Sequence, residues 1–466
     1  MKEEIAELFR KTYGEMPDCF TPVAPHGSSR TYYRVGNAKH TVVAAYNADE
    51  KENRAFVDFA KQLRQRGVNV PEIMAEDLKH GIYLQEDLGD RTLFDFIKTA
   101  SPEEIRQTYK RIVRELPRLQ ITATKGFDYT NAYPRKRFDD RSIRWDLNYF
   151  KYYFLKLADI PFSEEELERD FDTLTHYLLD TDTSFFLYRD FQSRNIMLKE
   201  GEIFFIDFQG ARQGALQYDL ASLLYDAKAD LSEELRKELL QTYMEELKKL
   251  IPVDEQEFID RFYAYVYIRI MQATGSYGYR GWFQQKTHFL QSIPFALDNL
   301  SRLQNAKRLK PDLPCLDRIF DRMVCNEKLR RLGRDTYRLT IDIKSFSYKK
   351  GYPHDISGNG GGYIFDCRCL PNPGRYERYK QMTGKDAEVI AFLEKEPEAE
   401  EFYAAAKSLV MQSIRRYKQR RFTNLSVYFG CTGGRHRSVY MAQRLATELQ
   451  KDEELDVQVS HVEQNG

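Results

Sequence analysis

The chain has 466 residues, about three times the ~150-residue prior for one domain, so two or three domains are expected. Lys plus Arg and Asp plus Glu both number 71, which removes bulk charge as an argument for a dedicated nucleic-acid or membrane-surface protein. Hydrophobic content of 42% with 30% charged residues excludes a disordered chain, and no segment nears the ~20 apolar residues of a membrane span.

The opening residues, Met1 to Gly14, mix acids with bases at helical apolar spacing, unlike a secretory or transit peptide. Six scattered cysteines form no disulfide framework, so a cytoplasmic protein with no membrane partner is expected. Cys367 and Cys369 lack a second ligand pair for zinc. Period-two apolar residues in Arg30–Gly36 and His40–Asn47 predict a hairpin turning at Gly36-Asn37. Phe56, Phe59 and Leu63 give residues 50–66 helical spacing, and helices are expected at 229–250 and 255–272. A strand-rich lobe over residues 1–92 then precedes a mainly helical lobe over 93–305.

The most informative stretch is 186–210. Asp190 and Asn195 stand five apart in a polar loop, followed by a hairpin that turns at Glu200-Gly201 and ends in Asp207-Phe208. Phosphoryl transfer needs a carboxylate to orient the attacking hydroxyl and oxygen ligands to hold Mg²⁺ against ATP. This ordered set supplies all three groups.

With Tyr218-Asp219-Leu220-Ala221-Ser222 downstream, residues 1–300 resemble the aminoglycoside phosphotransferase and choline kinase superfamily. Within it they are most similar to bacterial kinases acting on the anomeric hydroxyl of N-acetylmuramate and N-acetylglucosamine. The resemblance implies ATP and Mg²⁺ as cofactors, Asp190 as catalytic base, Asn195 and Asp207 as metal ligands, and Asp219 as a structural carboxylate. It also implies a nucleotide site with Gly27, Ser28, Ser29 and Arg30 over the phosphates, Glu52 on a helix, and Glu86 and Leu88 at an interlobe hinge. Arg280, Trp282 and His288 are the acceptor candidates for an amino-sugar substrate, with packing between helices the equal alternative for Trp282. Two departures stand out. The strand Val42–Asn47 lacks the usual lysine, for which Arg30 or Lys39 is the available substitute, and Tyr188 replaces the usual histidine. An antibiotic-inactivating relative would instead require an acidic acceptor pocket.

Pro311 and Pro314 mark residues 306–334 as a linker, with an amphipathic helix through Leu316, Ile319, Phe320 and Met323. Beyond Arg338 short strands and Gly-rich turns are expected. The strand Leu425–Phe429, the turn Gly430–Gly434 and a helix from Arg435 form an anion site, since free N–H groups and the positive dipole end face the loop. Cys431 and Arg437 also have the C-x₅-R spacing of a phosphatase loop.

Residues 335–460, with Ser345–Gly351, Tyr363–Pro373 and Gly430–Ala446, resemble the C-terminal domain of the RNase adaptor RapZ. That resemblance implies binding of a phosphosugar effector, glucosamine-6-phosphate, and of small regulatory RNA. The implied ligand residues are Cys431, Thr432, Gly433, Gly434, His436 and Arg437, with Lys349, Asp366 and Arg368. Residues 331–450 carry 21 Lys and Arg against 13 Asp and Glu, and Arg415, Arg416, Lys418, Arg420 and Arg421 cluster around Tyr417 as an RNA surface.

The expected architecture is therefore an α+β protein-kinase-like bilobal domain (1–305), a linker (306–334) and a separate α/β domain (335–466) with a strand–Gly-rich loop–helix anion site. The expected function is an ATP-dependent amino-sugar kinase with a regulatory C-terminal domain. The alternative is a non-catalytic, metabolite-gated RNA-binding adaptor on an inert kinase scaffold. Oligomerisation is left open.

Overall fold

The computed structural model describes residues 1–23, 30–332, 339–353, 361–420, 422, 424–452 and 454–464, with the side chains of 419 and 420 excepted. Gly27, Ser28, Ser29, Arg421 and the Arg420 side chain therefore lie outside what is described. The chain forms two compact units, Met1–Leu332 and Gly333–Gly466.

The first unit opens with α1 (Lys2–Tyr13), β1 (Cys19–Val23), β2 (Thr31–Gly36), β3 (Thr41–Tyr46), α2 (Glu50–Gln65), β4 (Ile73–Asp77) and β5 (Ile82–Glu86). The strands make an antiparallel sheet in the order β1-β2-β3-β5-β4. Period-two alternation divides its faces. Val42, Ala44, Ile82 and Leu84 meet Ile5 and Phe9 of α1, while Ala45 and Tyr83 join the main core with Phe56, Phe59 and Leu63 of α2. The β2–β3 turn spans residues 37–40, just past Gly36, which pairs with Thr41, and Asn37 Oδ1 accepts the N–H groups of Lys39 and His40. Asp49 caps α2, accepting from the N–H groups of Lys51 and Glu52.

The helical lobe contains α3 (Leu93–Phe96), α4 (Pro102–Pro117), α5 (Asp140–Phe150), α6 (Glu164–Leu179), α7 (Gln217–Leu224), α8 (Glu233–Leu247), α9 (Glu255–Gly278) and α10 (Ile293–Asn305). Two small antiparallel pairs lie at its cleft side. They are β6 (Phe185–Leu187) with β9 (Arg212–Gly214), and β7 (Ile196–Lys199) with β8 (Glu202–Phe205). The β7–β8 turn puts Glu200 at φ 52° and Gly201 at φ 83°, the positive-φ pair that a two-residue hairpin requires.

The linker expectation is corrected here. Residues 314–331 fold as α11 (Pro314–Cys325) and α12 (Glu327–Arg331) and belong to the first unit. Leu316, Ile319, Phe320 and Met323 do lie on one face, but that face is buried in the main core, and Phe320 stacks on Tyr267 at 5.5 Å. Proline at the first turn started this helix instead of ending the domain.

The second unit is a four-stranded parallel sheet in the order β11-β12-β10-β13. Its elements are β10 (Leu339–Ser347), β11 (Gly362–Asp366), α13 (Ala387–Glu394), α14 (Pro397–Arg420), β12 (Asn424–Cys431), α15 (Arg437–Leu449) and β13 (Leu455–His461). Its core joins Leu339, Ile341 and Ile343 of β10 to Val427 and Phe429 of β12 and Met441 and Leu445 of α15.

Candidate active site

Asp190 follows β6 on a loop whose shape is set from beneath. Asp219, fully buried on α7, accepts the N–H groups of Tyr188 (2.8 Å) and Arg189 (3.0 Å) and the side-chain amide of Gln120 (3.2 Å). Burial nonetheless pushes its carboxyl up to about 6. Arg189 adopts φ 87° and is locked by a bidentate pair with Asp146 (2.6 and 2.8 Å) and by the Tyr218 hydroxyl. Tyr188, where histidine was expected, is buried and donates its hydroxyl to the Ile206 carbonyl at 2.5 Å. That bond ties the Asp190 loop to the strand that delivers Asp207.

Asn195 and Asp207 converge as the spacing required. Asn195 Nδ2 donates to the Asp190 carbonyl (2.8 Å) and to Asp207 Oδ2 (3.3 Å). Asp207 turns into the cleft at φ 69° and accepts from Gln209 Nε2 at 2.8 Å. Enclosure by protein pushes its carboxyl up, and the charge of Asp190 adds to the effect. Two carboxylates and an amide oxygen in an enclosed cleft are a hard-oxygen donor set that fits Mg²⁺. Among the described residues no group of three His, Cys, Asp or Glu forms a self-sufficient metal site. Such a cation would therefore need further ligands from water and phosphate.

The N-terminal lobe contributes Glu52 and Arg30. Glu52 accepts from Asn47 Nδ2 (2.7 Å), meets Gln209 Nε2 (3.4 Å) and pairs with Arg30 Nη2 at 3.4 Å. The Arg30 side chain is fully buried, with its guanidinium 5.4 Å from the Phe56 ring centre. The strand position expected to carry lysine falls among buried Ala44 and Ala45. Arg30 therefore reaches the α2 glutamate from the start of β2. Lys39 is not a substitute, because it pairs with Glu15 on the exposed hairpin turn at 2.6 Å.

At the expected hinge, the Glu86 N–H donates to the Glu72 carbonyl, and the Glu86 carboxylate meets Lys199 (3.0 Å) and Arg64 (3.8 Å). Leu88 is buried behind Asp87, which Arg34 clamps through both carboxylate oxygens.

A cavity of about 330 Å³ joins Asp190, Asn195, Asp207 and Glu52 to α9 and the turns after it. Of the three acceptor candidates, Arg280 and His288 line it. Trp282 does not; it packs 5.7 Å from Phe154 on the main core. Sequence reasoning passed over Arg194, Lys228 and Arg269, which also line this cavity. A motif search has no means of collecting cations so far apart in the chain.

In the second unit, the expected ligand residues gather at the carboxyl edge of the parallel sheet, where open α/β sheets bind ligands. Lys349 follows β10, Asp366 and Arg368 follow β11, and 431–437 join β12 to α15. Cys431 is buried, with Sγ 3.2 Å from Ser438 Oγ. Burial raises its thiol, but hydrogen bonds from Ser438 and the nearby Arg437 outweigh that and leave it below its usual range. Gly434 at φ 64° lets the loop lie against β10; a Cβ there would sit 2.9 Å from the Ser347 nitrogen.

Some of these groups are already engaged. Arg437 is buried and donates through Nη1 to the carbonyls of Arg368 and Leu370, both at 2.9 Å. Asp366 and Arg368 pair with each other, and His436 Nε2 meets the Tyr379 carbonyl at 2.9 Å. Of the residues expected on an RNA surface, Arg415 and Arg416 are exposed on α14, and the Lys418 ammonium meets Asp452 (2.6 Å) and Glu454 (2.9 Å).

A carboxylate loop, an Asp-terminated hairpin and an α2 glutamate meeting in one interlobe cleft define a kinase-like phosphotransferase unit. The model described as the phosphotransferase enzyme family matches residues 20–252, half of the chain, and the chain belongs to that family. The RapZ C-terminal domain model matches residues 339–465. Relatives named nucleotide-binding proteins include one from Alkalilimnicola ehrlichii, 40% identical over 116 residues (25% of this chain, 38% of that protein). Another, from Nitrosomonas eutropha, is 42% identical over 114 residues (24% and 38%). The chain thus spans about two fifths of the length of these relatives. Among solved structures, choline kinase from Cryptosporidium parvum Iowa II has TM-score 0.47 at 12% identity, covering 69% of this chain and all of that one. An amicoumacin kinase in complex with AMP-PNP, Ca²⁺ and Ami has TM-score 0.45 at 15% identity, covering 71% and 95%.

Proposed function

We propose that the first unit transfers the γ-phosphoryl group of ATP to a hydroxyl of an amino sugar, the anomeric hydroxyl of an N-acetylmuramate- or N-acetylglucosamine-type ring. The observation that carries this reading is the convergence of Asp190, Asn195 and Asp207 on one cavity that also reaches Glu52, the partner of buried Arg30. Asp190 orients the acceptor hydroxyl and takes its proton as the oxygen–phosphorus bond forms and the bond to the β-phosphate oxygen breaks. Asn195, whose Nδ2 is committed to Asp190 and Asp207, offers Oδ1 to Mg²⁺ beside the Asp207 carboxylate. Mg²⁺, when bound, supplies neutralisation of the phosphate charge. The Arg30–Glu52 pair stands in for the missing strand lysine, which weakens the case for an inert scaffold. The cations around the acceptor cavity weigh against polycationic antibiotics as acceptors.

The second unit is read as a phosphosugar- or RNA-binding regulatory module in a cytoplasmic enzyme. Support comes from the RapZ-type match, the polar groups at the sheet edge and the exposed Arg415 and Arg416.

The test is coupled ATP turnover by the full chain with N-acetylmuramate, N-acetylglucosamine, choline and kanamycin. Sugar-dependent turnover is expected, falling about 10²–10⁴-fold in Asp190→Asn. A folded protein with no turnover on any acceptor would return the adaptor reading.

A further inference from the structure

Resting on the sugar-kinase reading above, we propose that the acceptor carries an anionic group, a carboxylate or a phosphate, seated against a basic wall of the cavity. The wall is formed by Arg194, Lys228, Arg269, Arg280 and His288, and its volume of about 330 Å³ suits a sugar-sized ligand.

The cavity lining holds two chemically different sets of side chains. Asp190, Asn195, Asp207, Glu52 and Gln209 make the phosphoryl-transfer set. The other set comes from the turn after Asp190, the 226–228 segment, α9 and the residues after it, and its Arg269 also feels the charge of Asp190. Its one carboxylate among the described residues, Asp226, already accepts the N–H (3.1 Å) and hydroxyl (2.5 Å) of Ser193. Five basic side chains therefore face the cavity there against one engaged acid.

Arg269 is the most telling of them. It is 7% exposed, and Nη1 donates to the Tyr218 hydroxyl (3.1 Å) and to Gln272 Oε1 (2.5 Å). Its Nε–H is buried without a hydrogen-bond partner. An unmet buried donor on a cationic group costs stability unless a ligand satisfies it. The neighbouring cations also repel one another. Burial and then Arg194 hold the Lys228 ammonium below its usual range, and burial followed by Lys228 and Arg194 does the same to His288. An entering anion relieves that repulsion, whereas a cationic acceptor such as choline or an aminoglycoside adds to it.

The experiment compares kcat/KM of the full chain for three probes: neutral N-acetylglucosamine, carboxylate-bearing N-acetylmuramate and phosphate-bearing N-acetylglucosamine-6-phosphate. The expected result is at least a 100-fold preference for one of the two acidic sugars, and the better one tells carboxylate from phosphate. In Lys228→Ala and Arg194→Ala that preference falls at least tenfold, through KM for the sugar and not for ATP, and Lys228→Arg restores most of it. Equal or better use of the neutral sugar overturns the proposal while leaving the kinase reading intact. So does a loss confined to KM for ATP, since the wall would then serve nucleotide phosphates. If no sugar is turned over, the kinase reading fails, and calorimetry with the same three probes still decides the anion site. Binding of an acidic probe that is lost in Lys228→Ala supports it, and no difference between acidic and neutral probes overturns it.

Discussion

At the residue scale, Arg30 and Arg189 are each held by an acidic partner, Glu52 and Asp146. Arg30 pairs with Glu52 inside the N-terminal lobe, so Arg30→Met should lower kcat/KM for ATP at least tenfold. Lys39→Ala, which removes only an exposed pair with Glu15, should change it by less than twofold in the same assay. Arg189 is held at positive φ by Asp146 and Tyr218. Arg189→Ala leaves Asp146 buried without its partner, and urea unfolding should show a loss of about 3–5 kcal/mol. Tyr188→Phe removes one hydrogen bond to the Ile206 carbonyl, leaving that acceptor without it. About 1–3 kcal/mol is expected from the same measurement.

At the scale of elements, α11 and the loop before α15 give the clearest tests. Phe320→Ala opens a void against Tyr267, and a first-unit loss of about 3–5 kcal/mol is expected because α11 is core and not linker. Gly434→Ala places a Cβ 2.4 Å from Glu463 Cγ at a left-handed φ, so calorimetry should show a lower melting temperature for the second unit. The hairpins were legible because each has a local signature. Asn37 and the Glu200-Gly201 pair specify turns, and period-two apolar residues specify the strands. The convergence of Asp190, Asn195 and Asp207 was legible because their loop and hairpin are contiguous in the chain. Of the basic wall only Arg280 and His288 were legible; Arg194, Lys228 and Arg269 were not, since they lie far apart in the chain and share no periodicity. The Arg189–Asp146 clamp was likewise hidden by 43 residues of separation. For Trp282 the sequence left sugar stacking and helix packing as equal alternatives, and it packs on the core.

Across the whole molecule, the two units should respond differently to acid. His461 ends β13 in the second unit, 4% exposed, with Nδ1 2.9 Å from Ser345 Oγ. Burial, with Lys385 adding, brings its pKa from 6.5 down to about 4. The unfolded chain therefore binds a proton that the folded unit refuses between those values. Stability from neutral His461 is fully present above pH 6.5 and is lost as pH falls toward 4. Hydrogen exchange along β10 and β13 should quicken over that window, and His461→Gln should flatten the dependence. Phosphoryl transfer by the first unit remains the claim on which the rest depends. The most direct measurement is a single turnover of γ-labelled ATP with an N-acetylated amino sugar, separating sugar phosphate from inorganic phosphate. The account predicts label on the sugar with the unsubstituted chain and almost none with Asp207→Asn. Tight ATP binding with label only in ATP and inorganic phosphate, for every sugar offered, would contradict it.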